Sequence, residues 1–193
     1  MALKQKSLDP DMGYRLKVTL KGSKPPIWRR LEVPGNITLA QLHLILQVAM
    51  GWTNSHLHSF RIGKAYYQEP DPNPLFREAE EKNENKFKLK QVVTREKMKF
   101  IYEYDFGDSW EHEILVEKIL PMTEEKRHPA CLKGARACPP EDVGGIWGYY
   151  DFLAIIDDPK HPEHEDMMEW AGGQFDPDQF DLAKINKQLS KIR

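Results

Sequence analysis

Apolar and polar residues alternate from Tyr14 to Lys21, with Tyr14, Leu16, Val18 and Leu20 on one side and Arg15, Lys17, Thr19 and Lys21 on the other. A period of two marks a strand with one buried face, so a first strand is expected at about 13–21. Gly22-Ser23-Lys24-Pro25-Pro26 interrupts the pattern, and Ile27, Leu31 and Val33 resume it, which predicts an antiparallel hairpin. Beyond Pro34-Gly35-Asn36 the period changes. Thr38 and Gln41 have the spacing of a capping box, and Leu39, Leu42, Ile45, Leu46, Ala49 and Met50 form one helical stripe. Gly51 stands where a left-handed residue would end that helix, and His43 and Gln47 are expected on its polar flank.

Alternation returns at 56–62, where His56, His58, Phe60 and Ile62 share a face, and again in two runs over 99–106 and 110–117. The connection Asp105-Phe106-Gly107-Asp108-Ser109 is short enough for a tight turn, with Gly107 as the residue expected to take a positive φ. Residues 69–86 hold three prolines followed by charge without apolar periodicity, the signature of a mobile surface insertion. From about 139 the texture is helical and acidic. Helices are expected at about 148–157, from Pro162 to Trp170, and after Asp176-Pro177 with Phe180, Ile185 and Leu189 at helical spacing. This order predicts an α+β fold in a single domain over 1–193: a mainly antiparallel sheet with a hairpin-helix start, β-grasp-like, and C-terminal helices.

With 193 residues, 40% of them apolar, the chain can bury a core without disulfide or metal staples. Its longest apolar-rich stretch, 39–50, is shorter than the roughly 20 residues of a membrane span, and the N-terminus lacks a signal-like apolar region. The expected setting is therefore cytoplasmic, with no membrane partner. Charge is balanced overall, 28 Lys+Arg against 30 Asp+Glu, which does not favour a dedicated DNA-binding domain. Its distribution is uneven: bases dominate the first seventy residues, whereas 141–181 carries many acids and only Lys160 to oppose them. Either a basic face awaits an anionic partner, or the two halves attract each other.

Several groups carry candidate chemistry. His56 and His58, two apart in a strand, project from one face as metal-binding pairs do, and equally as satisfied core histidines do. Asp105, Asp108 and His112 flank the tight turn, where two carboxylates and an imidazole would suit a divalent cation; Asp and Ser are also ordinary turn residues. In PPEDVGG, paired prolines and paired glycines bracket Glu141 and Asp142, so the loop either holds a ligand or metal, or uses Asp142 to cap the next helix. Cys131 and Cys138 are more widely spaced than half a zinc site; their basic surroundings offer them as candidate thiols, and equally read as a surface loop with scattered positive charge. Lys17, Lys21, Lys24, Trp28, Arg29 and Arg30 form a basic and aromatic set suited to single-stranded nucleic acid, although strand alternation sends Arg29 and Arg30 to opposite faces. No nucleophile elbow, phosphate loop, dinucleotide fingerprint or HExxH is present, and no catalytic residue is assigned.

The segments WTNSHLHSFRI, YEYDFGDSWEHEI, CPPEDVGGIWGYYDFL and FDPDQFD, in this order, resemble those of the plasmid pRiA4b ORF-3-like family over about Tyr14 to Leu189. The resemblance implies an α+β fold, an association with mobile DNA through the labels of relatives, and no particular reaction. Val143 stands where relatives can have Cys, which lowers the case for a thiolate metal cluster. Three functions stay open: a binding or interaction module with nucleic acid as partner, a metal-dependent hydrolase using the His/Asp/Glu set with a divalent metal as cofactor, and a protein-protein adaptor using the acidic helices.

Overall fold

The computed structural model describes residues 12–70, 81–122 and 128–192. Strands β1 (Met12–Leu20) and β2 (Trp28–Pro34) form the expected hairpin, with Leu16 opposite Leu31 and Tyr14 opposite Val33, so the apolar halves of both strands share one face. Helix α1 (Leu39–Met50) follows with its capping box in place: Thr38 Oγ1 accepts from the Gln41 N–H and Gln41 Oε1 from the Thr38 N–H. Gly51 ends it at φ 109°. Its stripe packs into a core with Leu16, Val18, Phe60, Ile114 and Val116.

Strands β3 (His58–Ile62), β4 (Ala65–Gln68), β5 (Glu81–Asn83), β6 (Lys99–Tyr104), β7 (Trp110–Pro121) and β8 (Ala130–Ala135) complete one sheet in the order β5-β4-β3-β6-β7-β1-β2-β8. Every pairing is antiparallel except β4 with β5. The α+β class is as expected. Helices α2 (Leu89–Val92), α3 (Gly145–Asp157), α4 (His164–Trp170) and α5 (Leu182–Leu189) finish the fold, and α5 packs on β8 and α1. No helix among the described residues is long and apolar enough to cross a membrane.

Four local expectations are corrected. His43 and Gln47 are not on a polar flank; both are buried, at 4% and 3% exposure, because hydrogen bonds to Tyr102 replace the water they give up. The stretch read as an insertion at 69–86 is structured at its end: β5 pairs with β4, and Glu84 beyond it is buried. Residues 71–80 lie outside the described residues. In the β6–β7 turn the left-handed residues are Asp105 (φ 57°) and Ser109 (φ 51°), not Gly107, since Asp105 Oδ1 accepts from the Gly107 and Asp108 N–H groups and so stabilises the turn itself. The segment around Cys131 is an edge strand and not a loop, paired with β2 and tied to Asn186 of α5.

The outer sheet face is an array of opposite charges. Arg15 pairs with Glu32, Lys21 and Arg61 with Glu111, Arg30 with Glu117 and Lys99 with Glu113.

Candidate metal centre and adjoining cavity

Three loops meet beyond the ends of β3 and β6. The first, 52–57, leaves α1; Trp52 anchors it by donating Nε1–H to the Pro139 carbonyl, 3.1 Å, while its ring lies 4.9 Å from that of Tyr104. The second is the β6–β7 turn. The third is 139–145, in which Gly144 and Gly145 take φ 90° and 68°. A Cβ on Gly145 would stand 2.5 Å from the Asp108 carbonyl oxygen, so only glycine lets this loop close on the turn. Asp108 Oδ2 accepts from the Gly144 N–H at 3.2 Å and draws the same two loops together.

This closure brings one imidazole and two carboxylates together. His56 Nε2 lies 3.2 Å from Asp142 Oδ1 and His56 Nδ1 3.7 Å from Asp105 Oδ2. One ligand atom from each of the three lies within 4.8 Å of the others. Asp105 is buried and Asp142 exposed, so the cluster opens to solvent on one side. Asn54, Asp105, Ser109 and Asp142 all have positive φ, and thus four non-glycine residues in a sparsely populated conformation gather around one place. Asp142 does not cap α3: the N-cap is Gly144, without a side-chain bond.

Glu141 turns the other way and braces the cluster. Its carboxylate accepts from the Thr53 N–H at 3.2 Å, from the Thr53 hydroxyl, and from the Tyr104 hydroxyl at 2.5 Å. Burial opposes its charge, but those hydrogen bonds outweigh burial and hold the carboxyl below its ordinary range. Tyr104 is pushed upward by burial and by its bond to Glu141, so its proton stays in place.

His56 also stands on the wall of a cavity of about 470 Å³, whose floor holds His43, His58, Asn54 and Glu84. His58 does not join His56. It pairs instead with Glu84, Nε2 to Oε2 2.9 Å, and stacks on His43. His43 is pushed down to about 4, by burial first and then by its neighbour His58, so it is neutral. Its tautomer follows from its partners: the Tyr102 hydroxyl accepts from Gln47 and donates to His43 Nδ1, and His43 Nε2–H donates to Asn54 Oδ1. Leu44, Leu57 and Phe106, all exposed, rim the mouth.

The other candidates lie apart. His112 is fully buried beside Trp52 and Tyr102, with burial pushing it down to about 4. Cys131 and Cys138 are free thiols that burial pushes up, which opposes the reactivity their basic neighbours implied. Arg29 is on the core side of β2, 2% exposed, and cannot meet a nucleic acid on the outer face. Lys17 and Arg30 flank the Trp28 ring, each 5.4 Å from its centroid, but Arg30 is bound to Glu117 through two hydrogen bonds and Lys21 to Glu111. Lys24 contributes its backbone N–H to the Tyr150 hydroxyl. Sequence reasoning missed His43, Asn54, Glu84, Thr53 and Tyr104. The capping box fixes the phase of α1 and so was the available signal for His43; Glu84 had none.

Comparison with known proteins gives consistent relatives. The chain is 38% identical over 185 residues to the uncharacterised protein y4hQ of Sinorhizobium fredii, covering 92% of this chain and 91% of that protein. It is similar to the crystal structure of a protein of unknown function from Methanosarcina mazei Go1, with a TM-score of 0.79, 37% identity, and coverage of 93% of this chain and 98% of the other. The family model described as plasmid pRiA4b ORF-3-like protein matches residues 12–184, and the chain belongs to that family.

Proposed function

We propose that this protein binds a divalent metal ion through His56, Asp105 and Asp142 and acts as a metal-dependent hydrolase on a small molecule seated in the adjoining cavity. The observation that carries the reading is the convergence of those three ligand atoms within 4.8 Å. A nitrogen and two carboxylate oxygens suit zinc or manganese, and three protein ligands leave a position open for water or substrate. A metal held in this way supplies an activated water or polarises a substrate carbonyl or phosphoryl oxygen. The chain's own residues do the rest. Glu141, Thr53 and Tyr104 fix the loop that carries Asp142, the Asp105 turn is fixed by its own hydrogen bonds, and His56 joins the cluster to the cavity. The polar floor and apolar rim favour a substrate with both characters. Nucleic acid on the outer face is the weaker reading, because Lys21 and Arg30 are paired with glutamates and Arg29 is inside.

The test is elemental analysis of tag-free protein, followed by zinc and manganese titration. About one equivalent of metal is expected, with affinity reduced at least roughly tenfold by His56→Ala and by Asp142→Asn, the size expected for loss of a ligand or its support. Asp142 is exposed, so its variant keeps the fold. No metal after reconstitution, or affinity unmoved by both variants, removes the hydrolase reading.

A further inference from the structure

A second cavity, of about 310 Å³, lies between the end of α1, the segment that follows β8, and α5, and shares no lining residue with the first. At its base is Arg29, whose guanidinium is held entirely by neutral groups. Nε donates to the Ala49 carbonyl at 2.8 Å and Nη1 to the carbonyls of Trp28 and Ala135 at 2.9 Å each, while the Phe180 ring covers it at 4.9 Å. Those bonds use three of its five N–H groups. Among the described residues Nη2 has no hydrogen-bond partner and no carboxylate pairs with Arg29. A cation buried without a counter-charge is costly, and burial pushes this arginine downward.

The walls have the complementary character. Asp181, Lys184, Ile185 and Gln188 follow one another at i, i+3, i+4 and i+7 on the face of α5 that lines the cavity. Asp181 has its Oδ1 engaged as N-cap to the Lys184 N–H, and the Lys184 ammonium has no carboxylate partner among the described residues. Val48, Met50 and Phe175 supply apolar surface. The FDPDQFD segment, which the proposed hydrolase site does not use, thus contributes Phe175, Phe180 and Asp181 to this place.

We propose that this cavity is a binding site for a small organic carboxylate, its charge received by Arg29 Nη2 and Lys184 and its apolar body packed against Val48, Met50 and Phe175. A carboxylate fits better than a phosphate because one guanidinium nitrogen and one ammonium are offered, and the Asp181 carboxylate at the rim disfavours a second negative charge.

The full-length chain is tested by calorimetry and ligand-observed NMR with benzoate, the neutral isostere benzamide, and inorganic phosphate. Benzoate is expected to saturate one site, and benzamide to bind roughly tenfold more weakly or less, as loss of a charge-assisted hydrogen bond implies. Lys184→Glu, on an exposed position of α5 and with an unchanged melting temperature, is expected to weaken benzoate roughly tenfold or more by placing a like charge at the site. Arg29→Lys, which keeps the charge but removes Nη2, is the second variant, and weaker benzoate binding is expected from it. Equal binding of benzoate and benzamide, indifference to Lys184→Glu, tighter binding of phosphate than of benzoate, or no saturable benzoate binding would each overturn the proposal.

Discussion

His43 and His58 stack face to face, their ring centroids 3.4 Å apart and their planes 3° from parallel. Two imidazolium ions cannot share such a stack without strong repulsion, so the pair is divided by its partners. His43 is kept neutral by burial among Tyr102, Asn54 and Gln47, while Glu84 accepts from His58.

Acid is expected to destabilise the protein between about pH 6.5 and 4. Both His43 and His112 fall from 6.5 to about 4 on folding. Between those values the unfolded chain binds protons that the folded chain does not, so stability falls as pH falls through this window; below about 4 both states are protonated at these histidines, and the further loss comes from the depressed carboxylates Glu117 and Glu141. Each histidine contributes up to about 3 kcal/mol to the loss within the window. Urea denaturation across that range checks it, and His112→Phe should flatten the slope; an unchanged slope would show that His112 is not the titrating group.

Glu84→Ala is expected to lower stability by about 1–3 kcal/mol, because it leaves His58 Nε2 without its acceptor at a largely buried site. Glu84→Gln, which retains an acceptor, should cost less. Denaturant midpoints of the two variants decide this, and equal midpoints would count against the pairing as the source of the effect.

Gly145→Ala is expected to be costly in two ways. The residue sits at φ 68°, and the new methyl would meet the Asp108 carbonyl oxygen at 2.5 Å. Backbone strain of this kind costs about 1–3 kcal/mol. The melting temperature should fall, and metal affinity at His56 and Asp142 should fall with it, since the loop that carries Asp142 has to shift. A melt unchanged from the parent chain would contradict the close approach.

On the outer face, Arg30 and Glu117 make two hydrogen bonds, 2.6 and 2.8 Å, across partly exposed side chains. A double-mutant cycle with Arg30→Ala and Glu117→Ala should give a coupling of about 0.5–1 kcal/mol, reduced by salt. A coupling near zero would mean that the pair contributes nothing to stability in water.

The sequence by itself determined the elements whose faces differ sharply. Tyr14–Leu20 alternates because one side of the sheet is core and the other solvent; the α1 stripe, its capping box and its terminal glycine are local features with local signatures. It also named His56, Asp105 and Asp142 individually, because turn and loop segments that carry acids and histidine are visible in one dimension. Only the tertiary structure brings a ligand atom of each within 4.8 Å of the others. The closure of 139–145 on the β6–β7 turn depends on Gly145 meeting Asp108, a contact between residues far apart in the chain. The same holds for what periodicity misjudged. His43 looked solvent-facing because it is polar, yet Tyr102 and Asn54, supplied by other segments, make its burial tolerable. Glu84 follows a stretch without periodicity, and its partner His58 is on a strand reached only through sheet pairing. Arg29 sits in a buried register position of β2 that a pattern of hydrophobicity would give to an aliphatic side chain. It is held there by the end of α1 and the edge of β8, which only folding brings together.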